Sequence, residues 1–363
     1  MNTAEQHIRG IIERDTFTRV EILYLLALHT KDELDYLKAS ARAVKKQYVG
    51  NVTWLRGLIE FSNKCSKNCL YCGIRAGNQG IDRFTLSEDE IMEAAAFAYE
   101  NRYGSLVLQS GEQQNKEFID FVCRITSAIK TKYDLGITLS CGEQTEETYR
   151  RFYESGAHRY LLRIETSSPE LYRKIHPDDK IHDFETRINC LHSLKKAGFQ
   201  LGTGVMVGLP FQTQEDLAGD IKFFKDLDID MAGIGPYIEH ADTPLYQFRN
   251  ELMPPEERLL LTLKMIAVLR LAMKDINIAS ATALQAIGKM GREKALQMGA
   301  NVIMPNLTPE KNRKLYQLYK DKPCLDENAE QCKDCLEKRI AIAGDRVGYG
   351  EWGDSNHFNN KRK

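Results

Sequence analysis

The sequence predicts an α/β protein built on a complete (β/α)8 barrel of the TIM type. Three observations carry this expectation: eight short β-like runs, a helical stretch after each of them, and a span of residues 51–322 that suits such a barrel. A doubly wound open sheet shows the same alternation, so periodicity alone favours the barrel only in part.

Residues 1–50 read as an N-terminal helical segment, with Thr18 and Glu21 forming a capping-box pair ahead of the apolar run Ile22–Leu26. After Gly50 the rhythm changes. The candidate strands are Val52–Phe61, Ser105–Gln109, Gly136–Leu139, Arg159–Ile164, Gln200–Val205, Met231–Gly235, Asn277–Ser280 and Asn301–Met304. Between them, Ser87 with Glu90 and Thr213 with Asp216 mark helix starts, and Thr308-Pro309-Glu310 places Pro at the first position of a last helix. Residues 323–363 are less periodic and read as a C-terminal appendage whose end, Asn359–Lys363, is expected to fray.

Lys and Arg total 50 against 51 Asp and Glu, a formal net charge of −1, so no basic field points to nucleic acid or an anionic membrane. No apolar run approaches the ~18–20 residues that span a bilayer. The N-terminus lacks the pattern of a secretory signal, so the expected compartment is the cytoplasm. In that reducing setting nine cysteines argue against a disulfide framework and for metal or cluster ligation.

The strongest local signal is Cys65-x3-Cys69-x2-Cys72, directly after the first strand. Three thiolates on a short loop match three corners of a [4Fe–4S] cube and leave one iron open. A structural zinc site is the alternative, but it normally takes four ligands, and no fourth Cys or His lies nearby. Cys324, Cys332 and Cys335 form a second trio in the appendage. Cys123 and Cys190 fall on expected helices as small buried hydrophobes, while Cys141 follows the third strand near the barrel mouth.

Other candidates sit at strand ends, where a barrel collects its working groups. Gln109-Ser110-Gly111-Glu112 closes the second strand, with a plain strand-to-helix turn as the alternative. Arg163 and Glu165, two apart on the fourth strand, point to the same side, either to the mouth or as a buried ion pair. Arg187 lies on the helix that follows. The glycines at 202, 204 and 208 do not make a dinucleotide loop, because the third is one residue late and no acidic residue follows at the required distance.

The cysteine spacing, with aromatic Tyr71 before the last Cys, resembles the signature of radical S-adenosylmethionine (SAM) enzymes. Longer stretches, residues 58–65, 160–166, 230–244 and 299–305, are similar to the [FeFe]-hydrogenase maturases of the HydE type. The resemblance implies a [4Fe–4S] cluster on Cys65, Cys69 and Cys72 whose open iron takes the amine and carboxylate of SAM, which is reductively cleaved to a 5′-deoxyadenosyl radical. It implies cofactor contacts at Tyr71, Gln109, Ser110, Gly111, Glu112, Arg163, Glu165, Arg187 and Met231. Substrate contacts are implied at Thr138, Arg163, Thr282, Tyr316 and Tyr319, the two tyrosines sharing one face of the last helix. For Cys324, Cys332 and Cys335 it implies an optional second iron–sulfur cluster, [2Fe–2S] or [4Fe–4S], without a catalytic role; zinc or an empty trio stay open.

The implied substrate is a cysteine-bound iron carbonyl–cyanide unit on the way to the di-iron subcluster. The implied partners are a low-potential electron donor (ferredoxin or flavodoxin), a tyrosine-cleaving maturase and a scaffold GTPase. Where the family has a His between the Arg and the Glu, this chain has Ile164, which alternates away from the cavity. Within the same chemistry, a methylornithine synthase or a biotin-synthase-like enzyme are alternatives, and the position of the second trio beyond the last strand argues against the latter. A non-catalytic iron–sulfur carrier is the alternative of a different class.

Overall fold

The computed structural model describes residues 3–14, 16–323, 325 and 329–362, with the backbone alone for 3–4 and 329–334. Three helices lead in, α1 (Thr3–Ile12), α2 (Arg19–Ala27) and α3 (Lys31–Tyr48), the last two opened by capping boxes at Thr18/Glu21 and Thr30/Glu33.

Eight parallel strands then alternate with helices. They are β1 (Val52–Ser62), α4 (Glu88–Glu100), β2 (Ser105–Ser110), α5 (Lys116–Tyr133), β3 (Gly136–Ser140), α6 (Glu146–Glu154) and β4 (Arg159–Leu161). There follow α7 (Pro169–Ile175), α8 (Phe184–Lys196), β5 (Gln200–Val207), α9 (Gln214–Asp226), β6 (Met231–Pro236), α10 (Pro255–Ala272), β7 (Asn277–Ser280), α11 (Ala283–Ile287), α12 (Gly291–Gln297) and β8 (Val302–Ile303). Each strand pairs with the next, and β1 pairs with both β2 and β8, so the sheet closes into a barrel. The core lies between strands and helices; in α10 the stretch Leu261–Leu271 is buried throughout, its two cations Lys264 and Arg270 donating to main-chain carbonyls.

Three expectations need correction. The fourth strand stops at Leu161 rather than Ile164, because the chain turns at Glu165, which has φ +66°. The last barrel helix, α13 (Glu310–Arg313), is one turn preceded by Pro309 as its cap, so Tyr316 and Tyr319 lie beyond it and share no helix face. The carbonyls that would continue it are taken elsewhere: Leu315 O accepts from Asn63 Nδ2, Tyr316 O from Lys322 Nζ, and Leu318 O from the Gly73 amide. Third, residues 359–362 are not frayed.

After α14 (Ala329–Ile342), β9 (Arg346–Gly348) pairs with Val52–Trp54 of β1. The chain then crosses the N-terminal end of the barrel. Trp352 O accepts from Ser105 Oγ at 2.6 Å and Arg159 Nη1 at 3.0 Å, and Gly353 O from Arg56 Nη2 at 3.0 Å and Asn277 Nδ2 at 2.9 Å. The final helix α15 (Asn356–Asn360) is followed by Lys361, whose ammonium lies 2.7 Å from Asp228 and 3.1 Å from Asp230. The barrel floor is therefore closed by the chain's own C-terminal segment, and its working face is the opposite one. Among the described residues no helix is long and apolar enough to cross a membrane.

Candidate active site

The loop after β1 carries Cys65, Cys69 and Cys72, and a dense set of protein contacts holds it. Arg83 donates to four main-chain carbonyls along it, those of Asn63, Ile74 and Arg75 at 2.7 Å and that of Asn78 at 2.9 Å. Its rim is held by neighbours: the Leu70 amide donates to Ile175 O at the end of α7, the Asn68 amide to His182 Nε2, and the Gly73 amide to Leu318 O. The Tyr71 hydroxyl lies 3.3 Å from His176 Nε2, with the rings edge to face. With its polar main chain satisfied in this way, the loop presents its thiols in a preset arrangement.

The segment after β2 is strapped to the same loop. The Glu112 amide donates to Cys65 Sγ at 3.3 Å, and Glu112 O accepts from the amide and hydroxyl of Ser66 at 2.8 and 3.0 Å. Beneath the strap lie four buried charges. Lys67 Nζ is 2.7 Å from Glu143 and 3.3 Å from Glu112. Arg187 bonds Glu143 through Nε, stands 4.0 Å from Glu112, and donates to Arg163 O at 2.7 Å. Two cations facing two carboxylates allow these groups to leave water. Burial pushes both carboxyls up; at Glu143 Arg187 and Lys67 outweigh it and hold the group below its ordinary value, whereas at Glu112 burial prevails.

A repeated pattern builds this cluster. Gly-Glu follows β2 as Gly111-Glu112 and follows β3 as Gly142-Glu143. Gly142 has φ +75°, and a Cβ there would fall 2.3 Å from the Glu112 carboxylate, so only glycine lets the two turns nest. The Glu143 amide then donates to Glu112 Oε2 at 2.9 Å.

The opposite wall is made by Arg163. Its guanidinium grips Glu165 with two bonds, Nε to Oε1 at 2.8 Å and Nη2 to Oε2 at 2.9 Å. It also donates to Gly233 O at 2.7 Å and Val205 O at 2.9 Å. Gly204 makes room: a Cβ there would meet Gly233 O at 2.1 Å and Arg163 Nη1 at 2.8 Å. The two side chains form an ion pair, the alternative reading of this motif, and the left-handed turn at Glu165, not strand alternation, brings them together. Ile164 points into the core and its amide donates to Thr203 Oγ1.

Inside the barrel is a cavity of about 60 Å³ whose lining includes Arg56, Thr138, Arg163, Met231, Asn277 and Met304. It brings together Thr138 and Arg163, and it places Met231 at the start of β6, on the floor, where its sulfur accepts from Arg56 Nη1 at 3.0 Å. Thr282 lines an adjoining cavity that shares Met304, and its hydroxyl accepts from Arg292 Nη2 at 2.7 Å. Tyr316 is buried and its hydroxyl accepts from Gln109 Nε2 at 3.3 Å, while Ser110 Oγ bonds Gly111 O; Tyr319 is half-buried outside these cavities. Cys141 and Cys190 are buried and Cys123 half-buried. Of the second trio, Cys335 is exposed on α14; Cys324 and the Cys332 side chain lie outside the described residues. Reading the sequence missed Lys67, Glu143 and His176. The recurrence of Gly-Glu after successive strands, and a lysine inside the cysteine loop, were the available signals for the first two.

The donor set fits an iron–sulfur cluster. Burial pushes the Cys69 thiol up to about 12 and raises Cys65 and Cys72 as well, so these sulfurs ionise where bound cations take the place of water. Among the described residues no group of three or more His, Cys, Asp or Glu is arranged to hold a lone metal ion. The surroundings fit a zwitterionic ligand: Glu112 is buried with Oε1 3.3 Å from Lys67 Nζ, and buried Arg187 and half-buried Arg163 supply cations alongside.

Comparison with known proteins agrees. The model of the radical SAM superfamily matches residues 59–224. The chain is 44% identical over 342 residues to the [FeFe] hydrogenase maturase subunit HydE of Thermotoga maritima, covering 94% of this chain and 95% of that one. Among solved structures, methylornithine synthase (PylB) superposes with a TM-score of 0.82 at 26% identity, covering 94% of this chain and 97% of that one. HydG, a maturase of the [FeFe]-hydrogenase, superposes with a TM-score of 0.78 at 19% identity, covering 95% and 76%, and speaks to the fold alone.

Proposed function

The chain belongs to the radical SAM superfamily and, within it, to the HydE-type [FeFe]-hydrogenase maturases, and from that membership we propose that it acts on a cysteine-bound iron carbonyl–cyanide precursor of the di-iron subcluster. The observation that carries the enzymatic reading is the trio of half-buried cysteines on one loop, strapped to Glu112 through Cys65.

Cys65, Cys69 and Cys72 hold the [4Fe–4S] cluster. Bound together, cluster and SAM supply one-electron reductive cleavage of SAM to a 5′-deoxyadenosyl radical. The chain's own residues bind, orient and exclude water. The carbonyls of the Gln109–Glu112 strap and the Glu112 carboxylate offer acceptors to the SAM amino group, and Arg187 offers its cation to the carboxylate. Tyr71, held by His176, closes the loop side. Arg163, Glu165 and the glycine-bared backbone of β5 and β6 line the far wall, with Met231 at its foot. Thr138 and Arg163, in the cavity that the C-terminal segment seals from below, are assigned to the substrate together with Thr282 in the adjoining cavity and, from the family resemblance alone, Tyr316 and Tyr319.

A ferredoxin or flavodoxin would deliver the electron, a tyrosine-cleaving maturase the substrate, and a scaffold GTPase would take the product, all in the cytoplasm. An optional second cluster on Cys324, Cys332 and Cys335 has no catalytic part. In the test, the full chain is reconstituted anaerobically, reduced with dithionite and given SAM. 5′-Deoxyadenosine and methionine should form, Cys69→Ala should abolish both, and adding the chain to an extract lacking its HydE activity should restore hydrogenase maturation. Turnover of lysine without such restoration would instead favour the methylornithine synthase reading.

A further inference from the structure

The carboxyl of Asp220 takes no part in the chemistry above, yet it is fully buried on α9, outside the barrel wall. Its Oδ1 accepts from both the amide and the hydroxyl of Ser167, at 2.6 and 2.7 Å, while Oδ2 has no hydrogen-bond partner. Burial pushes its pKa up to about 7 against the pull of the Ser167 bonds, and the charged groups facing it, Asp216 and Glu165, are both acidic. Burying this acid costs free energy, and what it gains in return is local: the two hydrogen bonds to Ser167.

What it holds is the turn that ends β4. Ser167 stands two residues after Glu165, and Ser168 caps α7. Glu165 has φ +66°, a conformation that a residue with a long side chain keeps only when its surroundings impose it. On one side the turn is pinned to β5: the Glu165 amide donates to Gly204 O at 2.9 Å, and the Met206 amide to Glu165 O at 3.1 Å. On the other side the anchor is Asp220. Beyond it, α7 carries the Ile175 carbonyl and His176, which touch Leu70 and Tyr71 of the cysteine loop.

We propose that Asp220 is the positioning residue of the Arg163–Glu165 fork: by anchoring Ser167 it keeps Glu165 in the left-handed turn that aims its carboxylate at Arg163, and thereby sets the fork's geometry for SAM. This rests on the reading of that fork as a SAM contact.

The test uses the full chain as Asp220→Leu, Asp220→Asn, Ser167→Ala and, as a control, Glu165→Ala. Two quantities are read: the SAM dissociation constant of the cluster-reconstituted protein, and hydrogen exchange of the 163–168 amides against the rest of the fold in the cluster-free chain. Loss of two hydrogen bonds to a carboxylate should make Asp220→Leu bind SAM about tenfold more weakly and exchange about tenfold faster at 163–168, with amides elsewhere in the fold exchanging as in the unaltered protein. Asp220→Asn keeps an acceptor for Ser167 and should stay within about threefold of the unaltered protein, and Ser167→Ala should fall between the two. If Asp220→Leu does not fold, the Ser167→Ala result decides by the same two readouts. Unchanged SAM affinity and exchange in the deciding variant overturn the proposal. If Glu165→Ala binds SAM weakly while Asp220→Leu does not, positioning alone fails; if Glu165→Ala binds SAM normally, the SAM-contact reading fails and takes the proposal with it.

Discussion

Replacing Arg187 by Met puts the buried charge cluster to a quantitative test. The guanidinium bonds Glu143, stands 4.0 Å from Glu112 and donates to Arg163 O. Without it, Lys67 alone faces two carboxylates, and one buried negative charge loses its partner. Removing one member of such a pair costs ~3–5 kcal/mol. An unfolding entropy of about 2.1 cal/mol/K per residue, taken over 363 residues, is about 0.76 kcal/mol/K, so the melting temperature should fall by ~4–7 °C. The double variant Arg187→Met with Glu143→Gln leaves Lys67 against Glu112 and restores neutrality. At least half of the loss should return, because the two residues share one network. Thermal melts of the cluster-free chain, followed by circular dichroism at neutral pH, supply both values. An unchanged melting temperature for the single variant, or a double variant that melts lower still, would refute the charge-balance argument.

His357 presents Nδ1 to Asp275 at 2.9 Å and Nε2 to Asp228 at 2.7 Å, and the bond to Asp275, against burial, lifts its pKa. Its contribution to stability should be complete below about pH 6.5 and vanish as pH rises through the raised value, so the urea midpoint should fall across that window in the unaltered protein but not in His357→Leu. Gly204→Ala should lower the melting temperature and weaken SAM binding measured by dialysis, since its Cβ would meet Gly233 O at 2.1 Å and Arg163 Nη1 at 2.8 Å. If the second trio has no catalytic part, as proposed, Cys332→Ala should leave 5′-deoxyadenosine formation within about twofold of the unaltered protein.

The barrel was legible because its signals are local. Eight runs of strand-forming residues and the capping boxes at Thr18, Ser87 and Thr213 are decided within a few positions; all eight strands and the three boxes are present, with the fourth and eighth strands shorter than expected. The errors fall where distant groups overrule local preference. Residues after Arg313 lose their helix to Asn63, Gly73 and Lys322, and β4 is cut short by a turn anchored on β5 and α9. The tail appeared loose for the same reason: nothing in the composition of residues 359–362 announces Asp228 and Asp230, more than a hundred positions earlier. In the site, Cys65, Cys69 and Cys72 announce themselves by spacing. Lys67 and Glu143 do not, since a single charged residue reads as solvated until its partners are seen.

The open coordination position of the cluster can be observed directly by electron paramagnetic resonance of the reconstituted, dithionite-reduced full chain, recorded before and after adding SAM. A cluster held by Cys65, Cys69 and Cys72 alone has one iron free to take SAM, so the spectrum should change on addition and the change should be lost in Cys69→Ala. An identical spectrum with and without SAM would contradict the assignment and leave a closed, non-catalytic iron–sulfur centre in its place.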